Sequence, residues 1–222
     1  MKTLGVLGGM GPAATVAFLA RLQALTPAEG DADHIRVVMD LNPQVPDRNK
    51  TPKKAETVLG EMAERLKVAG ADILAMPCNT AHAQAAGIRK ASLPFIDMIA
   101  ETTAAAKATG AEWVGVLATP GGEALYRKAL RDQGMSLMTL DGPDRDVFLD
   151  LVYGVKRGDV GDRAHGEMRR LAGLFAGGGA GAVIAGCTEV PLLLGQDDVA
   201  VPLVDSAEVL ARACVAACRE HA

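Results

Sequence analysis

The sequence predicts an α/β protein built as two similar lobes, each with a mostly parallel sheet. Short apolar runs alternate with longer segments of helical periodicity. Glycine- or proline-bearing turns fall where an apolar run passes into a helical segment. The order then repeats. Leu7 and Leu117 end strands 110 residues apart, Cys78 and Cys187 follow strands 109 apart, and Asp97 and Asp205 close matching Pro-x-x-Asp runs 108 apart. A near-constant offset over three landmarks is an internal duplication, and two copies of one strand-helix module imply lobes related by a pseudo-twofold axis.

Taken in order, Thr3 to Leu7 reads as a buried strand, Gly8-Gly9-Met10-Gly11-Pro12 as a turn and Ala13 to Leu25 as a helix. Such a turn offers free backbone N–H groups to an anion. Ala14 stands where a dinucleotide fingerprint needs its third glycine, and no acidic residue ends the second strand as a ribose ligand. A carboxylate site or a structural turn fits better than a nucleotide site. Ile35 to Leu41 is the next strand, leading into Asn42-Pro43-Gln44-Val45-Pro46-Asp47-Arg48. Two prolines stiffen that loop, which makes Arg48 a candidate carboxylate fork. Asn49 to Lys54 reads as an exposed basic continuation, and Glu56 to Ala69 as an amphipathic helix with Leu59, Met62, Ala63, Leu66 and Ala69 on one side.

The strand Asp72 to Ala75 runs into Met76-Pro77-Cys78-Asn79-Thr80-Ala81-His82. A helix from Ala81 to Lys90, a strand Phe95 to Asp97 and a helix from Ala100 to Ala108 follow. The second copy opens with Trp113 to Leu117 and the turn Ala118-Thr119-Pro120-Gly121-Gly122. Its counterpart of the cysteine strand is Ala182 to Ala185, ending in Gly186-Cys187-Thr188-Glu189-Val190-Pro191. Val201 to Asp205 matches Leu93 to Asp97, and Ser206 to Arg219 has helical spacing. The expected organisation is a first lobe over 1–100 and a second over 101–205, with the C-terminal helix of 206–222 packing back on the first and the active site in the cleft between them.

Composition narrows the partners. A chain of 222 residues with 49% hydrophobic content has enough apolar surface for a sizeable core. Aromatics at 3% leave little for base stacking, and a formal charge of −4 opposes polyanion binding, so no nucleic-acid partner is expected. Lys2 precedes an uncharged run as far as Arg21, but Gly5, Gly8, Gly9, Gly11 and Pro12 interrupt it where a signal peptide needs a continuous apolar core. No stretch has the length of a membrane span. A cytoplasmic protein with reduced thiols is the expectation. Cys214 and Cys218, four apart on a helical pattern, read as small packing residues. The four cysteines have neither zinc-ribbon spacing nor the setting of a disulfide framework, so no metal site is expected.

Cys78 and Cys187 carry the chemistry. Strands that end in Cys-Asn-Thr or Cys-Thr expose the thiol at the carboxyl edge of a sheet, where open α/β folds collect ligands. One such thiol alone reads as packing, whereas two at equivalent positions of a duplicated fold, each followed by a hydroxyl residue, suit a symmetric reaction. A metal needs more ligands than two thiols, and thiol redox chemistry lacks its Cys-x-x-Cys. Removing a proton from one face of a carbon and returning one to the other requires two acid/base groups. Free cysteine has a pKa of about 8.5, lowered by a helix N-terminus or a cation, so one thiolate and one thiol are reachable near neutral pH. That pair describes a cofactor-independent racemase or epimerase.

Five motifs, in order across nearly the whole chain, resemble the aspartate racemase branch of the aspartate/glutamate racemase superfamily. They are Gly8-Gly9-Met10-Gly11-Pro12 with Ala14-Thr15, the Asn42 to Arg48 loop, Pro77-Cys78-Asn79-Thr80-Ala81-His82, Tyr153-Gly154-Val155-Lys156-Arg157-Gly158, and Gly186-Cys187-Thr188-Glu189-Val190-Pro191. The resemblance implies two flavodoxin-like parallel-sheet lobes, a two-base mechanism without pyridoxal phosphate (PLP), a small acidic amino acid as substrate and a homodimer. It also implies that Cys78 and Cys187 are the bases and that Arg48 and Lys156 bind substrate carboxylates. Asn79, Thr80, Thr188 and the Met10-Gly11 turn would complete the anion-binding shell. Glutamate racemases carry Asp-Ser in the first glycine turn and His after the second Cys-Thr, where this chain has Gly9-Met10 and Glu189, which argues against glutamate-only specificity. His82 is expected as a structural residue at a helix start, with tuning of the Cys78 thiol as the alternative. Glu189 is expected to hydrogen-bond backbone or a substrate amine; if its charge faces Cys187 instead, it raises that thiol's pKa. The leading expectation is interconversion of L- and D-aspartate or a related acidic amino acid. The alternatives are another Cys-dependent isomerase of the superfamily, of maleate cis-trans or hydantoin racemase type, and a non-catalytic ligand-binding relative.

Overall fold

The computed structural model describes residues 1–220. It contains two compact units, one of Met1–Met98 with the C-terminal segment from Ala207, the other of Ile99–Ser206. Residues 221–222, the end of the segment expected to pack on the first lobe, lie outside the described residues. The elements in order are β1 (Leu4–Gly8), α1 (Pro12–Leu25), β2 (Val37–Leu41), α2 (Pro52–Val68), β3 (Ile73–Ala75), α3 (Ala85–Arg89), β4 (Phe95–Ile96) and α4 (Met98–Ala108). Then come β5 (Trp113–Leu117), α5 (Pro120–Asp132), β6 (Ser136–Met138), α6 (Gly142–Lys156), α7 (Asp162–Gly177), β7 (Ala182–Ala185), β8 (Leu203–Asp205) and α8 (Ser206–Arg219).

The first unit holds a four-stranded parallel sheet in the order β2-β1-β3-β4, with Leu4 opposite both Val37 and Ile73. Side chains alternate across it as strand geometry requires. Leu4, Val6, Ile73 and Ala75 face Phe18 and Leu22 of α1 and Leu210, Ala211 and Cys214 of α8. Leu7, Leu74 and Met76 cluster on the other side with Leu59, Met62, Ala63 and Leu66 of α2, whose spacing forms one helical stripe. Cys214 and Cys218 are fully buried in the α8 contact, the packing role their spacing suggests. The second unit repeats the arrangement, with order β6-β5-β7-β8, all parallel. Both sheets are the first four strands of the flavodoxin-like order 2-1-3-4-5. Where the first unit has α2 between its second and third strands, the second has α6 and α7. Their Phe148, Val152, Ala164, Met168, Leu171 and Phe175 cover Leu117, Val183 and Ala185.

The duplication extends to single atoms of packing. A Cβ on Gly5 of β1 would lie 2.7 Å from Leu74 Cδ2 and 2.8 Å from Ala71 Cβ, and one on Gly115 of β5 would lie 2.4 Å from Phe175 Cγ. Both central strands therefore need glycine at the same position to let the covering layer approach. Several element ends shift by one or two residues from the sequence reading, and two differences are larger. α2 begins at Pro52, so part of the expected exposed basic stretch is its first turn; proline suits a first helical position, and the Ala55 N–H bonds back to the Thr51 carbonyl. The helix expected over Ala81 to Lys90 is instead a 3-10 turn, Thr80–Gln84, followed by the short α3. An α-helical turn would give the Cys78 carbonyl to the His82 N–H. The His82 side chain takes that carbonyl, and the His82 N–H bonds Asn79 instead. Among the described residues, no helix is long and apolar enough to cross a membrane.

Candidate active site

In the first unit the candidate residues sit on three loops that follow the carboxyl ends of β1, β2 and β3, neighbours in the sheet. The β1 loop is closed by α1 itself. Thr15 Oγ1 accepts the Gly9 N–H at 3.0 Å and donates to the Gly11 carbonyl at 2.9 Å. Gly9 has φ of +97°, and a Cβ there would lie 2.4 Å from the Asn42 backbone, so only glycine fits. The Met10 side chain is buried in the same apolar cluster as Cys78, which leaves the backbone of this turn as its polar part.

The β2 loop is shaped by Asp47, whose carboxylate accepts the N–H groups of Asn49 and Lys50 at 2.8 and 3.2 Å. Those two bonds hold its carboxyl below the usual range. The half-buried Arg48 that follows has its Nε shielded from solvent with no hydrogen-bond partner. A buried charged donor without an acceptor is costly. A carboxylate oxygen would satisfy it with a charge-assisted bond.

Cys78 lies just beyond β3, buried and outside any disulfide, and is followed by the buried Asn79 and half-buried Thr80. His82 fixes the backbone at this point. Its Nδ1 is 2.8 Å from the Cys78 carbonyl and its Nε2 accepts the Met98 N–H at 3.1 Å. Since an amide N–H can only donate, Nε2 is the unprotonated nitrogen and Nδ1–H donates to Cys78. Burial, the largest effect, pushes the imidazole pKa down. Both ring nitrogens are thus committed to backbone groups, the structural role among the two expectations.

The second unit carries the more elaborate arrangement. Cys187 follows β7 and is 8% exposed. Its Sγ–H donates to Glu189 Oε2 at 3.0 Å, and the Thr188 hydroxyl donates to the same oxygen at 3.4 Å. Of the two expectations for Glu189, the contact seen is the one in which its charge faces the thiol: the residue after Cys-Thr turns back along its own chain. Lys156, the last residue of α6, places Nζ 3.8 Å from Glu189 Oε1 and over the Tyr153 ring at 5.5 Å from its centroid. Burial and then the Glu189 carboxylate push the Cys187 thiol well up, against the Glu189 N–H and Lys156, which favour the thiolate. Burial and the carboxylate thus favour the neutral thiol form of Cys187. Lys156 is drawn into this cluster by a partner that spacing alone does not reveal.

Comparison with known proteins places these features in context. A family model described as Asp/Glu/Hydantoin racemase matches residues 7–214. The broad specificity amino-acid racemase RacX of Bacillus subtilis is 26% identical over 220 residues, 96% of each chain. The structure of Picrophilus torridus aspartate racemase matches with a TM-score of 0.87 at 29% identity, over 98% of this chain and 94% of that one. A glutamate racemase of Pseudomonas paraeruginosa is 31% identical over 183 residues, 79% of this chain and 65% of that one.

Proposed function

Because the chain belongs to the Asp/Glu/Hydantoin racemase family, we propose that it interconverts L- and D-aspartate, or a closely related acidic amino acid, by proton transfer at Cα between Cys78 and Cys187. The observation that carries this reading is the recurrence of a buried cysteine just beyond the third strand of two sheets with the same strand order. Likeness to an aspartate racemase over nearly the whole chain supports the substrate class.

In the proposed reaction Arg48 and Lys156 bind the two substrate carboxylates. Asn79, Thr80, Thr188 and the backbone N–H groups of the Met10-Gly11 turn complete the polar shell. Cys187, held as the thiol by burial and by Glu189, starts as the acid, which gives Cys78 the first base role. Cys78 takes the Cα proton from one face and Cys187 delivers its proton to the other, and the roles exchange for the opposite enantiomer. Two thiols supply both transfers, so no PLP is needed. The working form is a cytoplasmic homodimer with reduced thiols. Likeness to RacX over 96% of the chain favours a second reading, in which the same two-base chemistry serves a broader set of amino acids.

The test is a chiral chromatography screen of acidic and neutral amino acids with purified protein and no added PLP. Interconversion of aspartate is expected, and none of any amino acid would overturn the reading. In D₂O at low conversion, deuterium is expected at Cα of the product while recovered substrate stays largely protiated. Cys78→Ala and Cys187→Ala should each lower racemisation in both directions by about a hundredfold to ten-thousandfold. A Cys187→Ala enzyme at full rate would eliminate the two-thiol mechanism.

A further inference from the structure

Thr15 belongs to α1 and not to a strand-end loop, yet it fixes the shape of the first of those loops. It is fully buried, and its hydroxyl is used twice, accepting the Gly9 N–H at 3.0 Å and donating to the Gly11 carbonyl at 2.9 Å. The Thr15 backbone N–H adds a second bond to that carbonyl at 3.1 Å. A turn that receives an anion must present N–H groups and keep its carbonyl oxygens turned away. These bonds tie the Gly11 oxygen back to the helix and leave the Met10 and Gly11 N–H groups as the donors that remain in the turn. The Thr15 methyl packs so closely that a Cβ on Gly8 would lie 2.5 Å from it. The turn in its place carries the β2 loop. The Gly8 carbonyl accepts the Asn42 N–H at 3.2 Å, a Cβ on Gly9 would lie 2.4 Å from the Asn42 carbonyl carbon, and Asn42 Oδ1 accepts the Gln44 N–H at 2.9 Å. A displacement of Gly9 is therefore passed to Asn42, where the loop to Arg48 begins. The position 110 residues on from Thr15 is Leu125, which has no hydroxyl to repeat these bonds.

We propose that Thr15 is a positioning residue for the substrate carboxylate: its hydroxyl orients the Met10 and Gly11 N–H groups and, through Gly9 and Asn42, the loop that presents Arg48. Without the hydroxyl the buried Gly9 N–H has lost its acceptor, and a turn that swings to satisfy it carries the neighbouring donors away from their aim. Hydrogen bonds weaken steeply with distance and angle, so a small swing is felt in binding. Such a loss falls on substrate and transition state alike and is read in KM more than in kcat. The proposal rests on the reading above in which this turn and Arg48 receive carboxylates.

The experiment pairs two readouts on the wild type, Thr15→Val and Thr15→Ser. One is calorimetric titration with succinate, a four-carbon dicarboxylate with no amino group and no stereocentre, which needs no turnover. The other is racemisation kinetics on aspartate. Thr15→Val keeps the side-chain volume and the backbone N–H bond to Gly11 and removes only the hydroxyl. Its Kd for succinate and its KM should rise about tenfold or more, while kcat changes by less than about threefold. Thr15→Ser keeps the hydroxyl and gives up the methyl against Gly8, and should recover most of the affinity. Thr15→Ala repeats the valine test without adding bulk if the valine enzyme does not fold. Combined with Arg48→Ala, Thr15→Val should cost less than the product of the two single losses, because part of its effect runs through Arg48. A valine enzyme that binds succinate as the wild type does would overturn the proposal, and so would a serine enzyme as weak as the valine one, which would place the effect in methyl packing. Losses that multiply in full would overturn the link to Arg48. A wild type that binds succinate and racemises nothing refutes the two-thiol reading, while the calorimetry still decides the part played by Thr15.

Discussion

Replacing His82 with leucine keeps most of the ring's volume and removes both of its hydrogen bonds. The Cys78 carbonyl and the Met98 N–H, bonded to the ring at 2.8 and 3.1 Å, are then left buried without those partners. Each buried group stripped of its partner costs about 1–3 kcal/mol, so His82→Leu should lose about 2–6 kcal/mol. Urea unfolding at pH 8 measures this. The same geometry sets a pH dependence. A proton on Nε2 would point at the Met98 N–H, and burial already lowers the folded pKa below the unfolded value of about 6.5. Above that value both states hold the neutral ring and the contribution is complete. As pH falls below it, the unfolded chain takes up a proton that the folded chain resists, and stability is lost. Nitrogen-15 NMR of the imidazole should show the Nδ1–H tautomer persisting below pH 6.5, and His82→Leu should lack this part of the acid slope. A variant within about 0.5 kcal/mol of wild type, ordinary for an unremarkable surface site, would refute the reasoning. So would an imidazole that titrates near 6.5.

Arg48→Ala and Lys156→Ala should each lower kcat/KM on acidic substrates about tenfold to a hundredfold, the loss of a charge-assisted bond worth about 1.5–3 kcal/mol; unchanged kinetics in both would remove them from the site. Lys156→Ala has a further signature, because losing a cation that favours the Cys187 thiolate should move alkylation of that thiol to higher pH. The double variant Cys214→Ala, Cys218→Ala should keep its activity and lose only about 1 kcal/mol or so of stability in thermal unfolding. Loss of activity with the fold intact would mean that the reactive thiols have been misassigned.

Much of the architecture is legible in the sequence because it rests on local rules. Strand-end glycines, helical stripes such as Leu59, Met62, Ala63 and Leu66, and the offsets of 110, 109 and 108 residues predict two α/β copies before any coordinate is known. The cysteines could be singled out by the same repetition. The pairing of residues through space was not legible. His82 lies four residues from Cys78 in sequence, and its ring takes the Cys78 carbonyl where the expected helix would have used the backbone N–H, while its second bond reaches Met98, sixteen residues on.

The charge state of Cys187 shows where the two kinds of information part. Sequence alone determined that a thiol would end the strand and that Glu189 would stand two residues later, because strand periodicity and chain spacing are properties of neighbours. Only the tertiary structure decided that the carboxylate turns back onto the sulfur, that Lys156 arrives from the end of α6, and that the thiol and the carboxylate are both withdrawn from water. A pKa depends on burial and on distances to charges brought from elsewhere in the chain, and those distances exist only once the helices have packed on the sheet.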